Sequence, residues 1–353
     1  MGKLKNAYVI AYTANNLGDD MFVFHLCNKY PLTLFHLVCP KEFQESFQLI
    51  NNIQLYESEY AFISHIAKQS IHLDMQIYIG GSIFMQPQDD SQILSKIDSV
   101  KQKRLFKHIP FSVLGANFGP FTKQNHLDIY TEWFSEIDDI CFRDKYSYDL
   151  FSSASNIRWA PDILLNYPLS LDTKTSNIIS ISCIHNNGRI GLPQYSESDY
   201  INALLAIAEN YYELGYTIQF ASFCNHQKDA YIANEIGTKM QNHERIKFLS
   251  YSNNIDGFLK AFLNSKYIIG TRFHSVILGW LAGIPTFPIA YNTKMLHVLQ
   301  DYRFDGNWTY IDDLKNLNFE YINNNFAGNN VFNCEALVKQ SNAHFNYLDQ
   351  YLT

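Results

Sequence analysis

Along the chain, short runs of β-branched and aromatic residues alternate with stretches whose apolar positions recur every three or four residues. That alternation is the pattern of helices laid on a parallel sheet. Strand-like runs begin at Ala7, Thr33, Gln76, Phe111, Asp139 and Asn156, and again at Asn177, Tyr216, Ile246, Tyr267 and Thr286. Between Ser198 and Gly215, Ile201, Leu204, Leu205, Ala208, Tyr211 and Tyr212 mark one face, which predicts a core-facing helix that Gly215 ends. The strands part into two sets near residues 165–175, where Asn166-Tyr167-Pro168 and Asp172-Thr173-Lys174-Thr175-Ser176 form a polar linker. The pattern predicts an α/β chain of two Rossmann-like, doubly wound domains, 1–168 and 169–330. An amphipathic segment in 331–353, roughly Cys334 to Leu352, is expected to return and pack on the first domain.

Composition agrees with a compact chain. Its 353 residues suit about two domains of roughly 100–200 residues each. Hydrophobic residues at 47% and charged residues at 17% argue against long disordered tails. A net charge of −7 gives no general attraction to polyanions, so nucleic acid is not expected as a partner and any anion site must be local. The apolar run Ile277 to Ala290 is broken by Gly283, Pro285 and Pro288 and is shorter than the roughly 20 residues of a membrane span. The start, Met1 to Asn6, leads straight into the strand-like Ala7 to Tyr12, without a signal-peptide pattern. A cytoplasmic protein without a membrane span is expected, with room left for peripheral membrane association. Cys27, Cys39, Cys141, Cys183, Cys224 and Cys334 lie far apart, which predicts buried thiols and no metal site.

In open parallel sheets, ligands bind outside the carboxyl ends of the strands. The residues at those positions are unusual. They are Asn15-Asn16-Leu17-Gly18-Asp19-Asp20, Gly80-Gly81-Ser82, Gly115-Ala116-Asn117-Phe118-Gly119-Pro120, Arg143-Asp144, Ala160-Pro161-Asp162 and Thr271-Arg272-Phe273-His274. Each alone is compatible with ordinary turn or cap chemistry, and Asp19 or Asp144 could simply cap a helix. Together they describe an edge where glycines admit close backbone approach and helix starts offer amides to an anion. Thr271 is placed to cap a helix running through Ser275, Val276, Ile277, Leu278, Trp280 and Leu281, which sets Arg272 and His274 in its first turn. Cations there oppose the helix dipole, so a bound anion is the simplest rationale. The competing reading pairs Arg272 with a carboxylate across the interface. Lys294, after the next strand, reaches the same edge. If the two domains face each other across a cleft, Arg143 and Arg272 would bracket a small molecule with an anionic group at each end.

These stretches, in this order from about residue 10 to 295, resemble the polysaccharide pyruvyl transferase family: Asn16-Leu17-Gly18-Asp19, Gly80-Gly81-Ser82, Gly115 to Pro120, Phe142-Arg143-Asp144 with Ser147, Ala160-Pro161-Asp162, and Gly270 to His274. The resemblance implies a fold similar to the two-domain GT-B glycosyltransferases, no cofactor, phosphoenolpyruvate as donor and a pyruvate ketal on two sugar hydroxyls as product. It further implies a role in exopolysaccharide or capsule synthesis, with a sugar or lipid-linked oligosaccharide as acceptor. The first domain would serve the acceptor and the second the donor phosphate.

Family residues carried over are Arg143, Arg272 and His274, with Phe273 between the last two. His274 is the candidate for proton transfer, Arg272 and Lys294 for holding phosphate, and Arg143 for the carboxylate. Asp19 and Asp162 are candidates for orienting sugar hydroxyls, and Asn16, Gly18, Gly80, Gly81, Ser82, Asn117 and Thr271 complete the expected substrate-binding set. The stretch after Pro120 and the tail from Trp308 match no motif of the family and would carry acceptor choice. Two rivals share the fold. A sugar-nucleotide glycosyltransferase would commonly carry a glutamate-rich motif in the second domain, and no acidic residue lies between Gly270 and Lys294. A non-catalytic glycan-binding protein would not need Arg143, Arg272 and His274 intact.

Overall fold

The computed structural model describes residues 4–169, 176–185, 195–240, 244–327 and 331–353. Asp172 to Thr175 of the expected linker lie outside the described residues. The chain forms two compact units. The first holds Met1–Ala14, Asp19–Ile163 and Gln340–Thr353, and the second holds Asn15–Gly18 and Leu164–Lys339.

The first unit contains β1 (Lys5–Ile10), β2 (Thr33–Val38), β3 (Ile53–Tyr56), β4 (Met75–Ile79), β5 (Phe111–Ala116), β6 (Asp139–Phe142) and β7 (Ile157–Trp159). They form one sheet in the order β3-β2-β1-β4-β5-β6-β7, with parallel pairing at each step. Every residue of β4, β5 and β6 is buried, as expected where helices cover both faces of a sheet. β3 went unread in the sequence because only Tyr56 of its four residues is buried and they carry little pattern. On one face, Phe84, Phe118, Tyr130, Phe134, Phe142 and Phe151 pack into an aromatic core, with Phe84 and Phe134 ring centroids 5.0 Å apart.

The second unit repeats the scheme with β8 (Ile178–Ser182), β9 (Thr217–Ser222), β10 (Ile246–Ser250), β11 (Tyr267–Gly270), β12 (Thr286–Ala290) and β13 (Thr309–Tyr310). Their order is β10-β9-β8-β11-β12-β13. β13, two residues long, is too short to leave a periodic signal. The helix expected from Ser198 is Glu197–Glu213. Ser196 caps it by accepting from the Asp199 amide, and Ile201, Leu204, Ala208 and Tyr211 are buried. Gly215, at φ +91°, ends it in a conformation that only glycine adopts without strain.

The C-terminal segment is a helix over Glu335–Ser341, a 3₁₀ turn over Asn342–Phe345 and a short helix over Asp349–Leu352. Residues 340–353 belong to the first unit. There the Ser341 hydroxyl donates to the Asp162 carbonyl (2.8 Å), and the Arg158 guanidinium donates to the His344 carbonyl (2.9 Å). The Tyr30 hydroxyl donates to the Asp349 carboxylate (2.7 Å). Among the described residues no helix is long and apolar enough to cross a membrane. All six cysteines are buried and none is in a disulfide.

Candidate active site

In the second unit, β8 and β11 are adjacent parallel strands, so their carboxyl ends emerge side by side. Ser182, last in β8, exploits this. Its hydroxyl accepts from the Thr271 amide (2.9 Å) and the Arg272 amide (3.1 Å) and lies 2.7 Å from the Ser275 hydroxyl. Ser275 donates to the Arg272 carbonyl (2.6 Å). Ser182 thus accepts twice and passes its own proton on, which satisfies a buried helix entry without a local cap. The helix is Phe273–Leu281 with Arg272 as its N-cap residue. Thr271 is therefore not the cap. Its hydroxyl is buried and accepts from Tyr200 (3.0 Å).

The anion that Arg272 demands is supplied by the chain. Nε of Arg272 donates to Asp229 Oδ2 (2.7 Å), Nη2 donates to Asp229 Oδ1, and Nη1 donates to Gln227 Oε1 (2.7 Å). Asp229 is fully buried and Arg272 is 7% exposed. Burial works against the charged guanidinium, but the Asp229 carboxylate outweighs it and holds Arg272 above the ordinary arginine range. Asp229 Oδ2 also accepts from the Cys224 amide (3.1 Å). A side-on carboxylate fixes the fork in one orientation. Arg272 does pair with a carboxylate, but with one from its own unit rather than across an interface, because Asp229 follows β9 of the same sheet.

His274 is half-buried in the first helical turn, its ring 5.1 Å from that of the buried Phe273. Lys294 follows β12 and lies 5.8 Å from the Phe273 ring and 5.5 Å from the Tyr291 ring. Arg272, Phe273, His274 and Lys294 are thus gathered at one edge. Asn16 and Gly18 join them. The Asn16–Gly18 loop bridges to Cys224, Leu17 donates its amide to the Phe223 carbonyl (3.0 Å), and Asn16 Oδ1 accepts from the Gly18 amide (3.1 Å). Gly18 is needed for a steric reason, because a Cβ there would lie 1.7 Å from His274 Nδ1.

The first unit holds a second buried cation. Arg143 follows β6 and is 2% exposed; Nη1 donates to the buried Asp162 (3.1 Å) and Nη2 to Asn117 Oδ1 (2.7 Å). The Ser82 hydroxyl donates to the same Asn117 oxygen (3.1 Å), and the Asn117 amide donates to the Gly81 carbonyl (2.9 Å). Gly81 admits the guanidinium, since a Cβ there would lie 2.7 Å from Arg143 Nη2. The glycines expected to let a ligand approach therefore make room, at positions 18 and 81, for the chain's own imidazole and guanidinium. Gly80 donates its amide to the Leu114 carbonyl (3.2 Å). Asp144 caps the helix Lys145–Phe151 by accepting from the Ser147 amide (2.8 Å). Asp19 is half-buried beside Tyr78, whose hydroxyl is pushed up to about 12 by burial and by the Asp19 charge.

Sequence reasoning missed Asp229, Gln227 and Ser182. The signal that would have found them is the polar stretch Asn225 to Asp229 just past β9 and the serine closing β8, read by the same strand-end rule. Among the described residues no group of three or more His, Cys, Asp or Glu side chains is placed to hold a metal ion.

The fold is shared with solved structures at very low identity. Anabaena HepE, solved with UDP and glucose, matches with a TM-score of 0.59 at 9% identity, covering 99% of each chain. The UDP-GlcNAc 2-epimerase of Neisseria meningitidis, bound to UDP-GlcNAc, matches with a TM-score of 0.60 at 9% identity, covering 98% of this chain and all of the other. The class so defined is that of GT-B-like α/β proteins built on two parallel sheets. The family model for polysaccharide pyruvyl transferase matches residues 7–293, and the chain belongs to that family of enzymes. A curated relative, the amylovoran biosynthesis protein AmsJ of Erwinia amylovora, is 24% identical over 254 residues. That match spans 64% of this chain and 59% of the relative's length.

Proposed function

We propose that the chain transfers the pyruvyl unit of phosphoenolpyruvate to two hydroxyls of a sugar in a surface polysaccharide or its precursor, forming a pyruvate ketal. The observation that carries this reading is the gathering of Arg272, fixed in orientation by Asp229, with His274 and Lys294 at one edge of the second sheet. Membership of the pyruvyl transferase family and the likeness to an amylovoran biosynthesis protein support it.

The chemistry assigns roles as follows. A proton is delivered to the methylene carbon of the enol phosphate, and one sugar hydroxyl adds to the cation-like carbon beside it. The second hydroxyl then attacks that carbon as its bond to the phosphate oxygen breaks. Of the two hydroxyl protons lost, one balances the new methyl group and one leaves with phosphate. His274 exchanges the proton, while Arg272, oriented by Asp229, and Lys294 hold the phosphate. In the first unit, Arg143, held in place by the buried Asp162, is assigned to the pyruvyl carboxylate, and Asp19 to sugar hydroxyls.

Thermal shift tests the donor. Phosphoenolpyruvate at millimolar concentration should raise Tm, because a ligand bound only by the native state stabilises it. Pyruvate should do much less. A larger shift with UDP than with phosphoenolpyruvate would replace this reading with a sugar-nucleotide glycosyltransferase. Undetectable phosphate release across a broad panel of acceptors would point instead to a non-catalytic glycan-binding protein.

A further inference from the structure

A groove of about 440 Å³ opens in the first unit, lined by Lys145, Tyr148, Asp149, Ile157, Arg158 and Trp159. Its volume lies within the roughly 300–1,000 Å³ typical of small-ligand sites. Its walls come from two elements. The helix Lys145–Phe151 begins two residues after Arg143, and β7, the terminal strand of its sheet, ends three residues before Asp162. The groove is therefore built by the segments that carry the Arg143–Asp162 pair.

We propose that this groove is a subsite for one sugar unit of the acceptor. The lining decides the ligand class. Trp159 and Tyr148 are half-buried and supply aromatic surface for the C–H face of a pyranose ring. Lys145 and Asp149 are exposed at the rim. The ammonium only donates hydrogen bonds, the carboxylate only accepts them, and the phenol does both. A sugar presents hydroxyls that donate and accept, and so answers all three. An anionic ligand would meet the Asp149 carboxylate at the rim, and a purely apolar one would leave the hydrogen-bonding groups of the rim unused. Lys145 Nζ sits over the Trp159 ring, 4.8 Å from its centroid, so a sugar stacking on that face would displace the ammonium to the ring edge, where it can donate to a hydroxyl. Arg158 contributes little free charge, because Asp139 accepts from its Nε (2.6 Å) and Nη2 (3.0 Å).

Calling the bound sugar an acceptor rests on the pyruvyl-transfer reading, but sugar binding can be measured without any donor. Saturation-transfer NMR on the full chain would use methyl glucoside, methyl galactoside and methyl N-acetylglucosaminide at millimolar concentration. At least one should receive saturation at its ring protons. Trp159→Ala should weaken that binding about tenfold, the scale of a lost aromatic contact. Trp159→Phe should retain most of it, and Asp149→Asn, at an exposed position, should weaken it without lowering Tm. If Trp159→Ala fails to fold, Asp149→Asn decides, and wild-type transfer in that variant then overturns the proposal. No transfer to any glycoside, or equal transfer in the wild type and in both Trp159→Ala and Asp149→Asn, overturns the proposal. Phosphoenolpyruvate thermal shift on the same samples reports separately on the donor, so either reading can fail while the other stands.

Discussion

The imidazole of His274 occupies the space where residue 18 would carry a side chain: a Cβ on Gly18 would stand 1.7 Å from His274 Nδ1. The ring cannot stay in place if residue 18 is anything larger than glycine. Gly18→Ala should therefore act through His274, lowering the maximal rate by roughly 10²–10⁴-fold, the usual contribution of a general acid or base. In a His274→Ala background the same change should add little. Single-turnover rates for the four proteins of that cycle would measure the coupling, and additive losses would show that Gly18 serves some other purpose.

His274→Gln keeps a hydrogen-bonding side chain but cannot shuttle a proton. Phosphoenolpyruvate affinity by titration calorimetry should survive, while the single-turnover rate falls by roughly 10²–10⁴-fold. Lost affinity with a surviving rate at saturation would make His274 a phosphate ligand.

Arg272 depends on both charge and fork. Arg272→Lys should reduce kcat/KM by about 10²-fold, comparable to losing one directed donor in an active site. Asp229→Asn leaves a buried guanidinium without its counter-charge, and breaking such a pair typically destabilises by about 3–5 kcal/mol. Denaturant unfolding should show a lower midpoint for Asp229→Asn. An unchanged midpoint would mean that Asp229 is dispensable to the helix entry.

Gly81→Ala would push a methyl to within 2.7 Å of Arg143 Nη2. That guanidinium is held by Asp162 and Asn117 and has little freedom to retreat. Overpacking of this kind costs about 1–3 kcal/mol, so Tm should fall. Gly215→Ala, where a Cβ meets open space, isolates the purely conformational penalty of a positive φ for comparison.

Three histidines of the first unit make its stability sensitive to acid. Burial lowers His25 to about 4, with the nearby Lys29 adding to it, lowers His36 to about 4, with His65 adding, and lowers His344 to about 3, with Arg158 adding. Each is depressed below the unfolded value of about 6.5. The unfolded chain therefore binds more protons between about pH 6.5 and 4. The stability they contribute is fully present above about pH 6.5 and is lost as pH falls through that window. Tm measured across it should decline, and His36→Gln, which removes one titrating group, should flatten the decline.

The sequence alone determined the two parallel sheets, because strands buried on both faces must be continuously apolar and the helices between them amphipathic. It also located Arg143, Arg272 and His274, since a residue just past a parallel strand has only the sheet's carboxyl edge to occupy. β3 and β13 escaped, being short or partly exposed. What only the tertiary structure decided is which groups meet. The carboxylate that holds Arg272 comes from position 229, and the serine that closes its helix entry from position 182. The glycines that admit His274 and Arg143 stand at positions 18 and 81. No local pattern links such distant positions, because each pairing arises from strand order in a sheet, and strand order is set by how the whole unit packs rather than by any one segment.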